Sequence, residues 1–172
     1  MTPDELTAVV ASLADGDGAT GAGGPDGITG TAVADDDAGR RSAQIAAAVR
    51  SQTGHRWVGV YRVTGTEVRI LGYSGPGEPA YPTFSPDSGL TGTAVATGRS
   101  VVVDDVTADP RYRTVFGTTR SEMVVPVLHP RTGAVLGTLD LESEHLAAFG
   151  AAERELLERC AAAITPLYGV DP

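Results

Sequence analysis

SEMVVPV, residues 121–127, and GAVLGTLDLES, residues 133–143, are the stretches on which the fold turns. Val135, Gly137, Leu139 and Leu141 recur at every second position, and Thr138, Asp140 and Glu142 fall between them. In the first stretch Glu122, Val124 and Pro126 alternate with Met123, Val125 and Val127. A period of two places the two sets on opposite faces of a strand. The turn signal from His129 to Gly133 joins residues 123–128 to 134–142 as an antiparallel hairpin. If the strands pair, one face is apolar and the other gathers Glu122, Asp140 and Glu142. Carboxylates crowded together repel one another, and a cation among them relieves that cost. The plainer alternative is an exposed polar face at the ends of two strands.

Working outward, Arg56 to Val63 and Glu67 to Tyr73 read as two further strands joined by Thr64-Gly65-Thr66. On the first, Trp57, Gly59, Tyr61 and Val63 share a face. Gly59 then leaves space between two aromatic rings, a slot for an apolar or thioether tail. A Gly/Pro-rich loop covers Ser74 to Pro86. Gly89 to Thr97 reads as a helix stopped by Gly98, and Val101 to Val103 as a short strand broken at Asp104-Asp105. Asp109-Pro110 marks a turn. Helices are expected over Pro3 to Ala14, Asp37 to Thr53 and Phe149 to Leu167. The domain reading is an N-terminal helix at 1–14, a flexible Gly/Asp-rich linker at 15–36 and one α+β domain at 37–168 around an antiparallel sheet.

Bulk properties exclude several function classes. The chain has 172 residues, 41% hydrophobic but only 5% aromatic, so aliphatic and alanine packing carries the core. A net charge of −9 repels phosphate backbones and disfavours nucleic-acid and anionic-membrane partners. No run of apolar residues reaches the ~18 of a membrane span, and the N-terminus lacks a basic, then apolar, leader. A cytoplasmic setting is expected. The single cysteine, Cys160, permits no internal disulfide and no thiolate metal cluster. His55, His129 and His145 are not paired at ligand spacing, so neither metal nor cofactor is expected. The glycines of residues 21–30 follow no strand and precede no Gly-Lys-Ser/Thr, which argues against a phosphate loop.

GLTGTAVATGR (89–99), the Asp-Pro-Arg-Tyr turn at 109–112, SEMVVPV and GAVLGTLDLES occur in the order and spacing of GAF domains, which residues 37–168 resemble. The resemblance implies a GAF-like α+β fold. It would have about five to six strands, terminal helices together on one side, and loops or short helices over the ligand face. Within that family the chain is most similar to the free methionine-(R)-sulfoxide reductases. WVGVY (57–61), Ser121 to Pro126 and Leu139-Asp140-Leu141-Glu142-Ser143 carry the likeness, with Glu142 standing where that family has Asp. The likeness implies that the acids hold the amino group of a free amino acid and that Trp57 and Tyr61 wall the pocket.

The same likeness places three cysteines where this chain has Tyr81, Thr91 and Val115. Sulfoxide reduction needs a thiolate to take the oxygen and a second thiol to resolve the sulfenic acid, and no hydroxyl substitutes for either. Cys160 recurs with Leu156, Leu157, Ile164 and Leu167 at helical spacing, which makes it a core or interface residue. The expectation is therefore a noncatalytic sensor or binding domain for a small amine or amino acid. Its site would be Trp57, Tyr61, Tyr81, Thr91, Val115, Glu122, Asp140 and Glu142. Nothing in the chain resembles an output domain, so a signal would leave through a partner protein or a homodimer. The Leu6/Val9/Val10/Leu13 and Leu157/Cys160/Ile164 faces would either serve that dimer or cover the domain's own sheet. A residual reductase and a structural module with a collapsed pocket are the alternatives.

Overall fold

Thr2 starts the first helix, α1 (Pro3–Asp15), through a capping box. Its hydroxyl accepts from the Glu5 N–H at 3.2 Å, and the Glu5 carboxylate accepts from the Thr2 N–H at 2.6 Å. Asp36 caps α2 (Asp37–Thr53) by accepting from the Gly39 N–H at 2.7 Å, and Gly54 ends it in the left-handed region. The computed structural model describes residues 1–16, 30–33, 36–114 and 116–170.

The strands are β1 (Thr31–Ala32), β2 (Trp57–Val63), β3 (Val68–Ser74), β4 (Thr83–Phe84), β5 (Val101–Val103), β6 (Ser121–Leu128) and β7 (Val135–Ser143). All pairings are antiparallel in the order β1-β3-β2-β7-β6-β5, with β4 added to β3. Helix α3 (Gly89–Thr97) lies between β4 and β5 in sequence, and α4 (Ala151–Ala163) closes the domain. Among the described residues the sheet thus has seven strands, where about five to six were expected. The additions are β1 and β4, each two residues long. Two residues are too few for alternation to show, and both strands fall in stretches dominated by turn-forming residues. Thr31 and Ala32, which had been read as linker, pair with Tyr73 and Gly72. Of the remaining linker reading, residues 17–29, 34 and 35 lie outside the described residues.

The two sheet faces have different fates. On one, α1, α2 and α4 bury Leu6, Val10, Ile45, Val49, Leu157, Cys160 and Ile164 against Val58, Val60, Met123, Val125, Leu139 and Leu141. Each such aliphatic side chain contributes about 1.5–3 kcal/mol of burial. With few aromatics, close backbone approach replaces ring packing. A Cβ on Gly72 of β3 would come within 2.5 Å of the Ala43 nitrogen of α2. The apolar face of α4 therefore covers the domain's own sheet and that of α1 packs on α2 and α4, with Val9 of the α1 face left exposed.

On the opposite face sit Trp57, Tyr61, Ile70 and Tyr73, and beside them a cluster of Leu90, Ala94, Val103 and Val106 under α3. The last helix is shorter than its periodicity suggests. It stops at Ala163 and continues as a 3-10 turn over Thr165–Tyr168, because Pro166 has no N–H for the next helical bond.

Candidate ligand site

Register builds the site. β7 lies between β2 and β6, and its residue Glu142 pairs with Trp57 on one side and Glu122 on the other. One rung along, Asp140 lies between Gly59 and Val124, and the next rung sets Tyr61 beside Thr138. Cross-strand neighbours on one face stand ~4.5–5.5 Å apart at Cβ. Three successive rungs thus bring three carboxylates and two aromatic rings together on the face away from α1, α2 and α4. Convergence of Glu122, Asp140 and Glu142 follows as expected. The exposed-face alternative does not, since their relative exposures are 9%, 6% and 3%.

The hydrogen bonding to these acids is sparse. Thr91, in the first turn of α3, donates to Asp140 Oδ2 at 3.2 Å. Thr119 donates to Glu142 Oε2. Asp140 Oδ1 is buried with no partner, as is Trp57 Nε1. Among the described residues no arginine or histidine forms an ion pair with any of the three acids. Arg56 favours ionised Glu142 from a distance, but its guanidinium bonds Glu144.

Protonation follows from this geometry. Burial, opposed by the Thr138 and Thr91 hydroxyls, pushes the Asp140 carboxyl up to about 7. Burial likewise pushes Glu142 up to about 7, against the Thr119 hydroxyl and Arg56. Glu122 is held well above the carboxylate range, by burial first and then by Glu142 and Asp140. Tyr61 is raised by burial and by the same three acids. A buried anionic cluster without a counter-cation keeps protons or takes up a cation.

The cavity over the acids holds about 50 Å³ of free space. Trp57, Tyr61, Leu90, Thr91 and the three acids form its floor and walls, and Pro79, Tyr81, Phe84, Ser88, Gly89 and Arg113 complete the lining. Tyr81 and Thr91 thus line the cavity, as expected; Val115 lies outside the described residues. The slot expected over Gly59 is absent. The Trp57 ring edge itself occupies it, so that a Cβ on Gly59 would overlap Trp57 Cη2 and touch Tyr61 Cε2 at 3.0 Å. Trp57 is further packed by Tyr73 and Phe116, with ring centroids at 5.9 and 6.0 Å.

Pro79, Ser88, Gly89, Leu90 and Arg113 were not anticipated as lining. Pro79, Ser88 and Arg113 lie on loops with no periodicity to betray their direction, and only the alignment of the Gly89–Thr97 motif hinted at the α3 end. Cys160 sits on the far side of the sheet, fully buried in the helix-side core, its thiol pushed up to about 11 by burial. Among the described residues no group of His, Cys, Asp and Glu has the arrangement to hold a metal ion, and no helix is long and apolar enough to cross a membrane.

Among the described residues, the seven-stranded antiparallel sheet with its acid-floored pocket under α3 defines an α+β domain, and the GAF domain model matches residues 37–165. The chain belongs to the GAF domain family. It is similar to the free methionine-R-sulfoxide reductase of Saccharomyces cerevisiae, 32% identical over 107 residues, which cover 61% of this chain and 58% of that protein. The match thus spans little more than half of the yeast protein's length. It is also similar to GAF domain-containing protein A of Dictyostelium discoideum, 29% identical over 67% of this chain and 71% of that one. Among solved structures, the free methionine-R-sulfoxide reductase of Neisseria meningitidis, in complex with its substrate, superposes with a TM-score of 0.75. That match is 27% identical and covers 97% of this chain and 88% of the other.

Proposed function

We propose that the chain is a noncatalytic GAF-type binding domain that takes a small amine, or the amino group of a free amino acid, and acts in signalling through a partner protein or a second copy. The observation that carries this reading is the cluster of Glu122, Asp140 and Glu142. All three are buried, none has a counter-cation among the described residues, and all face one cavity. An alkylammonium ion supplies the missing charge and a donor for Asp140 Oδ1. The size of the cavity sets the ligand class. About 50 Å³ is well below the ~150 Å³ that admits benzene. A compact amine fits as the site stands, and a long side chain needs the loops bearing Tyr81 and Phe116 to shift. A cytoplasmic setting belongs to the same reading.

The similarity to reductases keeps an enzymatic alternative in view, but the residues oppose it. Two positions matched to that family's cysteines are Tyr81 and Thr91, and the one thiol lies across the sheet from the pocket. A collapsed pocket has one observation in its favour, the packing of Phe116 on Trp57. Free space nonetheless persists over the acids.

A thermal-shift panel of simple amines, free amino acids and methionine sulfoxide tests the proposal. A ligand at ~100 times its dissociation constant adds ~2.7 kcal/mol of stability. The shift should disappear in Glu122→Gln and Asp140→Asn. A panel with no shift on the wild type, or with equal shifts on both variants, rejects the proposal.

A further inference from the structure

At the rim of the cavity one side chain has the sign opposite to the floor. Arg113 follows the Asp109-Pro110 turn and lines the cavity alongside Ser88 and Gly89. Its guanidinium carbon lies 4.4 Å from the centroid of the Tyr81 ring, and its Nη1 donates to Ser88 Oγ at 2.8 Å. Its stem runs against Gly89. Among the described residues it forms no ion pair, neither with the three acids nor with any other carboxylate. A guanidinium carries five N–H donors in a planar fork that matches a carboxylate with two parallel bonds. Among the described residues its side chain donates one hydrogen bond, to Ser88.

Ser88 precedes α3 yet makes no side-chain cap to it, and its hydroxyl accepts from Arg113 instead. The first turn of α3, which also lines the rim, keeps N–H groups that a carboxylate can use. The floor is an independent observation pointing to a ligand. Asp140 is 94% buried, lines the same cavity, and its Oδ1 has no partner. Charges of opposite sign line one small cavity and are not paired with each other. An amine satisfies the floor alone, whereas an α-amino acid satisfies floor and rim.

Building on the binding reading above, we propose that Arg113 receives the ligand's carboxylate, so that the site selects a zwitterionic α-amino acid over the corresponding amine. Tyr81 is then a positioning residue. It stands where the similarity to the reductases places a cysteine, and its ring provides the platform over which the guanidinium lies. Loss of the thiol and gain of the platform are one substitution.

Calorimetric titration of matched pairs tests this: L-alanine with ethylamine, and L-norvaline with butylamine. On the wild type, at least one amino acid should bind about tenfold or more tightly than its decarboxylated partner. Arg113→Gln should bring the ratio to within about twofold by weakening the amino acid and not the amine, and Tyr81→Phe, which keeps the platform, should preserve the wild-type ratio. Arg113→Lys, charged but without the fork, should fall between. Equal binding of acid and amine by the wild type overturns the role of Arg113 and leaves the amine-binding reading standing. An Arg113→Gln variant that weakens both members of a pair equally also overturns it. No binding of any member, with folding verified by circular dichroism, overturns both.

Discussion

Asp140→Asn should make the empty protein more stable at mildly alkaline pH and flatten its pH dependence. In the folded chain burial lifts Asp140 from 3.8 to about 7. A carboxyl whose folded pKa is raised binds its proton more tightly folded than unfolded. Its contribution is therefore fully present below about pH 4 and is lost as pH rises through about 7. The shift is about three units, and each unit corresponds to ~1.36 kcal/mol, so the stability lost is ~4 kcal/mol for an isolated group. Glu142, lifted from 4.5 to about 7, adds a loss of the same sign. The two titrate as a coupled set with Glu122, so the losses do not simply add. Asparagine keeps an acceptor for the Thr91 hydroxyl and never ionises. The groups with lowered values, Glu5, Asp105 and Asp109, lose their stabilising effect only on the acid side. Above about pH 5 these three no longer contribute to the pH dependence, and the difference between wild type and Asp140→Asn isolates Asp140 with the acids coupled to it. Urea unfolding across about pH 5–8, followed by the fluorescence of the single tryptophan, Trp57, is the assay. Wild-type stability should fall across that window, and Asp140→Asn should fall less. A flat or rising wild-type curve, or a variant curve parallel to it, refutes the reasoning that these acids are buried without a counter-cation.

Cys160 should resist thiol reagents in the native protein and react only on unfolding, because it is fully buried and its thiol is pushed up to about 11. Cys160→Ser should cost ~1–3 kcal/mol, measured by urea unfolding, since it places a hydroxyl in an apolar core. Gly59→Ala should destabilise by ~1–3 kcal/mol and perturb tryptophan emission, because the new methyl group overlaps the Trp57 ring. Free methionine-(R)-sulfoxide with dithiothreitol should show no protein-dependent turnover by chromatography. Turnover lost in Cys160→Ser would instead establish a one-thiol reductase.

The hairpin of β6 and β7 was legible because nearly every position obeys alternation, and the placement of Glu122, Asp140 and Glu142 came with it. The helix-side core was legible for the same reason: Leu6, Val10, Leu157 and Ile164 repeat at helical period. Three features escaped. β1 and β4 are two-residue pairings whose partners lie on β3, and no local pattern announces a pairing that short. α4 was read through to Leu167 because hydrophobic spacing persists across Pro166, although its backbone cannot. The slot over Gly59 was misread because a glycine in a strand reports only that something approaches closely. That the neighbour is Trp57's own ring depends on a rotamer, which is set by Tyr73 and Phe116 from other segments. Of the rim, Arg113 and Ser88 were invisible in the same sense, since loops carry chemistry without periodicity, whereas Tyr81 was placed by the family resemblance.

The most direct test of the central claim is a calorimetric titration of a compact amine or amino acid into the wild type and Asp140→Asn at about pH 8, where the acids are ionised. Saturable binding to the wild type that weakens as pH is lowered toward about 6 and there displaces cluster protons on binding, together with loss of binding in Asp140→Asn, is the predicted result. Binding of undiminished strength in Asp140→Asn, or no binding to a folded wild type, contradicts the claim that the cluster is a receptor for a cationic group.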